Sequence, residues 1–238
     1  MNILIILATA LLPVAFLLYY IYKSDPLPEP SKFLWKSFLY GVLIIIPVSF
    51  VEMPINLLLI NILPENSMIL STAKAFFVAA IPEESFKLLA LWLVLRKNPY
   101  FDEHIDGIIY AVFVSLGFAA FENIGYLFTN MDEWMKVGFM RALLALPGHY
   151  AFGVLMGFFY SLYYFVNRSR RNKILILAAP IMAHGIYDTC CFMGEVSEIY
   201  GIIGFVCVVI FCIWMHRFCH HRILTHKHRD NKYFGNLA

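Results

Sequence analysis

The sequence is poor in charged residues. Only 14% of its 238 residues are Asp, Glu, Lys or Arg, whereas 61% are hydrophobic. A soluble domain of this size carries a much larger share of charge on its surface. The composition therefore excludes an ordinary soluble protein and indicates an integral membrane protein, with the lipid bilayer as its surroundings. The net charge is only +2, so we expect no nucleic-acid partner.

The sequence also lacks the ligand spacings of common zinc sites. It contains no His-Glu-x-x-His motif, and none of its five cysteines forms a Cys-x-x-Cys pair. The cysteines lie in or beside the last two apolar segments, so we interpret them as buried small hydrophobic residues. Cys219, beside basic residues, is a weaker candidate for acylation. The five are Cys190, Cys191, Cys207, Cys212 and Cys219.

Long apolar runs make up most of the chain, and they are too continuous for the alternating strands of a membrane barrel. They predict an all-α fold, a polytopic membrane bundle of about seven transmembrane helices. We expect one integral-membrane domain over residues 1–238. Its spans are predicted at about 2–22, 38–59, 70–95, 105–128, 137–165, 174–193 and 199–216.

Basic residues are concentrated in alternate loops. Lys and Arg occur in 23–36, 96–97, 168–173 and the tail, whereas the intervening loops contain only Lys136. Because basic loops stay in the cytoplasm, we expect an external N-terminus and a cytoplasmic C-terminus in a bacterial cell membrane. The histidine-rich tail after Arg217 is expected to be a solvated basic segment on anionic lipid headgroups and not a metal site.

Ionisable residues interrupt the third predicted span near its middle. Pro82-Glu83-Glu84-Ser85-Phe86-Lys87 lies between two apolar runs. A charge at that depth costs roughly 2.5–3.5 kcal/mol even on mild scales, so such groups face protein or trapped water and mark a functional site. The motif therefore predicts a polar site inside the bundle.

Other polar residues fall at a matching depth in the next three spans. They are Glu122 with Asn123, His149, and His184 with Asp188 four residues later. Small residues at helical spacing continue the same faces in spans four and five, which lets helices approach closely. They are Gly107, Ala111, Ser115 and Ala119, then Gly153, Gly157 and Ser161. We therefore expect these polar groups to converge in one cavity.

A carboxylate and two histidines in a wet membrane cavity can activate water for hydrolysis. We expect Glu83 to be the general base, with His184 or His149 donating to the oxyanion or leaving amine. Glu84 lies about 100° from Glu83 around the helix, so it is expected to support the site through Lys87 or His149. No Ser or Cys lies beside a base at these positions, so a covalent route is not expected.

Two alternatives use the same residues. Glu83, His149 and His184 could ligate zinc, although no zinc spacing supports this and we expect no metal or other cofactor. A small proton-coupled transporter would also use intramembrane Glu and His. Glu52 and Arg141 are further intramembrane charges, which we expect to pair with each other.

Four short motifs in order resemble those of PrsW-type intramembrane proteases. Glu83-Glu84-Ser85-Phe86-Lys87 resembles their EExxK motif, and Phe121-Glu122-Asn123 resembles their second motif. His149, in Pro-Gly-His-Tyr-Ala-Phe-Gly, and His184, in Ala-His-Gly-Ile-Tyr-Asp, are similar to their conserved histidines. The match covers about residues 70–190.

The resemblance implies hydrolysis of a membrane-anchored protein on the outer side of the membrane, for example an anti-sigma factor. It implies a glutamate-type mechanism, although the family has also been described as metalloprotease-like. The related CAAX prenyl endopeptidases follow the Glu-Glu pair with FxxxH and then HxxxN or HxxxD. Here Phe118–Glu122 has Glu in place of that His, and His184–Asp188 matches HxxxD.

Overall fold

The computed structural model describes residues 3–235, with side chains over residues 3–232. Over that range the chain is helical and forms no strand. The α-helices are α1 (Ile3–Lys23), α2 (Ser31–Leu43), α3 (Ile45–Ile62), α4 (Met68–Ala73), α5 (Ile81–Leu95), α6 (His104–Thr129), α7 (Trp134–Met140), α8 (Leu146–Ser161), α9 (Arg170–Phe192) and α10 (Glu198–Gly235). Three π-helical segments and one short 3-10 helix join some of them, at Lys74–Ala80, Arg141–Ala145, Leu162–Val166 and Met193–Glu195.

Six of the described helical segments are long and apolar enough to cross a membrane. They are Ile3–Lys23, Ser31–Ile62, His104–Thr129, Trp134–Val166, Arg170–Glu195 and Glu198–Lys232. The all-helical, multi-pass bundle predicted from the sequence is thus confirmed. The segment from Met68 to Leu95 is also continuous helix and is about 42 Å long at 1.5 Å per residue. It carries four charged residues and is not among the six, so its crossing, and with it the count of seven, stays a prediction.

The second predicted span is longer than expected and is broken near its middle. It begins at Ser31 instead of about residue 38, and α2 gives way to α3 at Ile44. Pro47 lies in the first turn of α3 and lacks the N–H that would bond to Leu43, four residues earlier. Because its ring also clashes with that carbonyl, an unbroken helix through this point is disfavoured.

Helix α6 is the centre of the bundle, buried along most of its length and packed mainly on α8 and α2. The small residues predicted to permit close approach lie at the α6–α8 contact. A Cβ atom added at Gly157 would lie 2.2 Å from the carbonyl oxygen of Gly107, and one added at Gly107 would lie 2.1 Å from Ser161 Oγ. Backbone therefore meets backbone here, which fixes α8 against α6.

Two π-helical segments lead directly into the helices that carry the predicted site. Lys74–Ala80 precedes α5 with Glu83, and Arg141–Ala145 precedes α8 with His149. Pro82 and Pro147 are each the second residue of the next α-helix, where a missing N–H is tolerated. A π turn inserts an extra residue and rotates the helix beyond it, and such turns are frequent at functional sites.

The described part of the tail is more ordered than a solvated segment would be, because one face of it is packed, whereas His216, His220, His221 and His228 are exposed. Helix α10 continues through the tail and packs on α6 and α8. His226 is buried, and one of its ring nitrogens lies 3.1 Å from the carbonyl oxygen of Phe158. Asp230 is also buried, and it accepts from the backbone N–H groups of His104 and Ile105 at the start of α6.

The cysteines differ from one another in burial. Only Cys219 is buried, with its thiol directed at the carbonyl oxygen of Ala151, which argues against its acylation. Cys190 and Cys212 are half-buried, whereas Cys191 and Cys207 are exposed on helices that the membrane would surround. The prediction of buried cysteines is therefore correct for one of the five, because lipid-facing positions also accept this small apolar side chain.

Candidate active site

A cavity of about 810 Å³ lies among α3, α5, α6, α8, α9 and α10. Its wall includes polar side chains from every one of these helices except α10, together with an arginine from the π turn before α8. Those side chains are Ser49, Glu52, Glu83, Glu122, Arg141, His149, His184 and Asp188. The cavity therefore collects the polar residues of the predicted site within a largely apolar bundle.

The Glu-Glu-Lys motif forms a buried cluster on the first two turns of α5. Lys87 Nζ donates to Glu83 Oε2 at 2.9 Å and to Glu84 Oε1 at 2.8 Å. Glu83 is at the cavity wall, whereas Glu84 is fully buried and Lys87 is 1% exposed. The two glutamates thus share one cation, but only Glu83 borders the cavity.

His149 connects this cluster to α6. Its Nδ1 lies 3.2 Å from Lys87 Nζ, and its Nε2 lies 3.0 Å from Glu122 Oε2. Because an ammonium group can only donate, Nδ1 is the acceptor and Nε2 carries the hydrogen. Ser115 on α6 donates to the backbone oxygen of His149 at 2.6 Å, which fixes this turn of α8 against α6.

Arg141 holds Glu122 from the other side. Its Nη2 donates to Glu122 Oε2 at 2.7 Å, and its Nε donates to Asn123 Oδ1 at 2.5 Å. Asn123 in turn donates to the carbonyl oxygen of Ala10 at 2.9 Å, which ties α6 to α1. The pair predicted between Glu52 and Arg141 was therefore wrong, since the guanidinium binds two neighbouring residues of α6 with its fork.

His184 is bound at both ring nitrogens. Nδ1 lies 2.9 Å from Glu84 Oε1, and Nε2 lies 3.1 Å from Asp188 Oδ2, one turn further along α9. Phe152 stacks on the imidazole with ring centroids 4.6 Å apart and an interplanar angle of 16°. The ring is thereby fixed in both position and orientation.

All eight residues predicted for the site belong to one network, which Asn123 joins through Arg141. They are Glu83, Glu84, Lys87, Glu122, Asn123, His149, His184 and Asp188. The structure differs from the prediction at Glu84 and at Arg141. Glu84 contacts Lys87, as expected, but its second partner is His184 and not His149. Arg141 was missed as a member of the site, although its position eight residues before His149 was a signal, since residues i, i+4 and i+8 fall within one broad helix face.

Three residues of the network could hold a metal ion. Glu83, Glu84 and His184 each offer a ligand atom, and these atoms lie within 4.8 Å of one another. Glu84 Oε2 is buried and has no hydrogen-bond partner among the described residues. His149 does not belong to this group, and its nitrogens face Lys87 and Glu122. The set predicted for a zinc-dependent site thus changes, with Glu84 in place of His149.

The family model described as "PrsW family intramembrane metalloprotease" matches residues 29–215, which include every residue of the network. The chain belongs to the PrsW family. It is 35% identical to Protease PrsW of Oceanobacillus iheyensis over 77% of this chain and 81% of the relative. It is 32% identical to Protease PrsW of Clostridioides difficile over 96% of this chain and 94% of the relative. No solved structure matches the chain significantly.

Family membership decides between the two classes of function that the residues allow. As a PrsW-family protein, the chain is an intramembrane endopeptidase in a bacterial cell membrane, and a proton-coupled transporter is not supported. Its apolar helices make it a multi-pass protein, as predicted.

The family's description names a metal, and the residues present fit one. Two carboxylates and one imidazole make a donor set suited to Zn²⁺. The second nitrogen of His184 faces Asp188, which is the outer contact that a metal-bound histidine usually makes. The ion would have to share both carboxylates with the ammonium group of Lys87.

Proposed function

We propose that this PrsW-family protein hydrolyses a peptide bond of a membrane-anchored protein with a water molecule activated by Glu83. The observation that carries the proposal is the difference between the two adjacent glutamates. Glu83 borders the cavity, whereas Glu84 is fully buried behind it. A general base must reach the proton that it abstracts, and Glu83 meets that requirement.

In the proposed reaction, Glu83 takes a proton from water while the hydroxide attacks the carbonyl carbon of the substrate. Lys87, bound to both glutamates, balances their charge and holds the Glu83 carboxylate in place. His184 and Arg141 border the same cavity and would stabilise the negative charge that develops on the carbonyl oxygen.

Collapse of the tetrahedral intermediate breaks the C–N bond and requires a proton on the leaving amine. The pair of His184 and Asp188 supports this step because both side chains border the cavity and share a hydrogen bond at Nε2. Glu83 holds the proton that it took from water, and return of that proton to His184 leaves the enzyme unchanged at the end of the cycle. One ligand atom of each residue lies within 4.8 Å of the other, which keeps this return short.

When bound by Glu83, Glu84 and His184, a zinc ion would act as a Lewis acid and lower the pKa of its bound water. We propose that the protein does not require it, since Lys87 already places a positive charge at 2.8–2.9 Å from both carboxylates. A zinc-bound site would change Glu83 from base to ligand.

Proteins with a single membrane-spanning helix are the proposed substrates, and an anti-sigma factor is one example. Helix α3 supports this proposal. It contributes Ile45, Ser49 and Glu52 to the cavity wall, but Val48 is its only buried residue among those described. A helix that is so lightly packed beside the cavity is suited to let a substrate segment enter from the lipid.

The test is to incubate the purified protein in detergent with candidate single-span substrates and to identify the products by mass. The wild type should produce two fragments that add up to the substrate plus one water, and Glu83→Gln should not produce them at a comparable rate. If neither protein cleaves any single-span substrate, while both cleave a soluble unfolded chain, the proposed substrate class is wrong.

A second arm tests the metal. Chelation strong enough to remove zinc should leave the cleavage rate unchanged, with metal content measured by mass spectrometry on the same sample. Loss of cleavage that added Zn²⁺ restores would assign Glu83, Glu84 and His184 as ligands and would contradict the metal-independent mechanism.

A further inference from the structure

A second cluster of buried carboxylates lies at the other end of α6 from the cavity. Its members come from three distant parts of the chain, namely the loop before α2, the start of α6 and the end of α10. They are Asp25, Glu29, Asp102, Glu103, Asp106 and Asp230, and all but Asp102 are buried. Carboxylates are almost never buried in such numbers unless cations pair with them.

Side chains of the protein supply little positive charge to this cluster. Over the described residues, its only direct ion-pair contact is between Asp230 Oδ1 and the His104 ring, at 2.5 Å. Lys227 supplies a further positive charge near Asp25. Six carboxyl groups are thus offset by one histidine contact and one nearby lysine among the described residues.

Most of the remaining hydrogen bonds come from backbone N–H groups and leave several oxygens unused. Asp106 Oδ2 accepts from the N–H groups of Asp102 and Glu103. Asp106 Oδ1 and Glu103 Oε2, both buried, have no partner among the described residues. Glu29 accepts from the Tyr110 hydroxyl through one oxygen. Because a buried oxygen without a partner is costly, this arrangement favours a bound cation that such oxygens can ligate.

We propose that Glu29, Asp102 and Asp106 bind a hard divalent cation, Ca²⁺ or Mg²⁺. Each offers an oxygen, and the three ligand atoms lie within 4.8 Å of one another. Ligands on opposite sides of Ca²⁺ are separated by about 4.6–5.2 Å, and adjacent ones by less. Asp102 is exposed, so the ion can enter from water and keep water molecules as further ligands.

This cation site is separate from the active site. Asp106 and Glu122 are 16 residues apart on α6, which corresponds to about 24 Å. The bound ion would join the loop before α2 to the start of α6, which Asp230 of α10 also caps. We therefore expect the ion to stabilise the fold and to take no part in the chemistry.

The experiment is a titration of the purified full-length protein with CaCl₂ and, separately, with MgCl₂ after removal of metals. The titration uses Glu83→Gln, because loss of this carboxylate weakens cation binding at the active site. The binding that remains then reports on the second cluster. One ion should bind per chain, saturating below about 1 mM, with a rise in thermal unfolding temperature. The salt that saturates at the lower concentration identifies the preferred ion.

Asp102→Asn is the main test variant because this exposed side chain makes no hydrogen bond through its carboxylate among the described residues. It should weaken binding at least tenfold and abolish the rise in unfolding temperature. Asp132→Asn, the same change at an exposed position in another loop, should leave both unchanged.

Glu29→Gln is the second variant, and it keeps an oxygen for the Tyr110 hydroxyl. It should also lose the response to the ion. The proposal is wrong if Glu83→Gln binds the cations equally with and without the added Asp102→Asn change, or if no saturable binding occurs in a folded sample. Either outcome would leave the proteolytic function untouched, since cleavage is measured with the wild type.

Discussion

The imidazole of His184 is held from both sides, by Glu84 at Nδ1 and by Asp188 at Nε2. The spacing of His184 and Asp188 predicted the second contact, because residues four apart share a helix face. The first contact joins residues 100 positions apart, so no local pattern could predict it. The partners of Arg141 could not be predicted locally either. It binds Glu122 and Asn123 instead of Glu52, and which of them it reaches depends on the rotation of α8 about its axis.

Replacement of Asp188 by Asn tests whether this outer contact matters for the reaction. Asp188→Asn keeps the size of the side chain but removes the charge that orients and stabilises a protonated His184. We expect kcat to fall by about 10² while KM changes little, since general acid catalysis contributes about that factor. The rates are measured with a single-span substrate. Asp132→Asn, the same change at an exposed loop position outside the site, is the control.

A rise in KM with unchanged kcat would contradict this role. It would show that Asp188 binds the substrate and does not act through His184.

Helix α8 depends on its contact with α6, where the predicted small residues lie. That contact could be predicted because small residues at helical spacing allow close approach of two helices. The π turns before α5 and α8 could not, since each depends on how the chain accommodates one extra residue within a packed bundle. The continuation of α10 beyond the predicted span 199–216 was also missed, because the tail is polar in composition. One face of it is nonetheless buried, at Cys219, Ile223, His226 and Asp230.

Gly157→Ala tests this helix contact. The new Cβ would lie 2.2 Å from the backbone oxygen of Gly107, and backbone cannot move aside as a side chain can. We expect a loss of about 1–3 kcal/mol of stability, measured as a lower unfolding temperature in detergent. Gly125→Ala is the matched control, since a Cβ there meets nothing within 4 Å.

A Gly157→Ala variant as stable as the wild type would mean that α6 and α8 do not meet as described. If both variants lost stability equally, the effect would belong to glycine itself and not to the contact.

The predicted orientation of the bundle as a whole rests on the distribution of Lys and Arg. Glu65 and Ser197 lie in loops predicted to be outside, and Ser169 lies in a loop predicted to be cytoplasmic. The membrane class could be predicted from hydropathy alone, because apolar length is a direct requirement of crossing a bilayer. Which side each loop faces depends on charges in short loops, so it needs a measurement.

A membrane-impermeant thiol reagent applied to intact cells supplies that measurement. Glu65→Cys and Ser197→Cys should react, and Ser169→Cys should react only after the cells are opened. The unmodified protein controls for its five native cysteines. Reaction of Ser169→Cys alone in intact cells would reverse the topology and move the active site to the inner half of the membrane.

The most direct test of the proposed mechanism is the cleavage rate of Glu83→Gln measured beside that of Glu84→Gln. Glu83 borders the cavity and is the proposed base, so Glu83→Gln should lower kcat by about 10² or more. Glu84→Gln keeps a hydrogen-bonding group behind Lys87 and His184 and should retain measurable cleavage. Wild-type rates for Glu83→Gln with an inactive Glu84→Gln would reverse the assignment, and full activity of both variants would contradict hydrolysis by these glutamates.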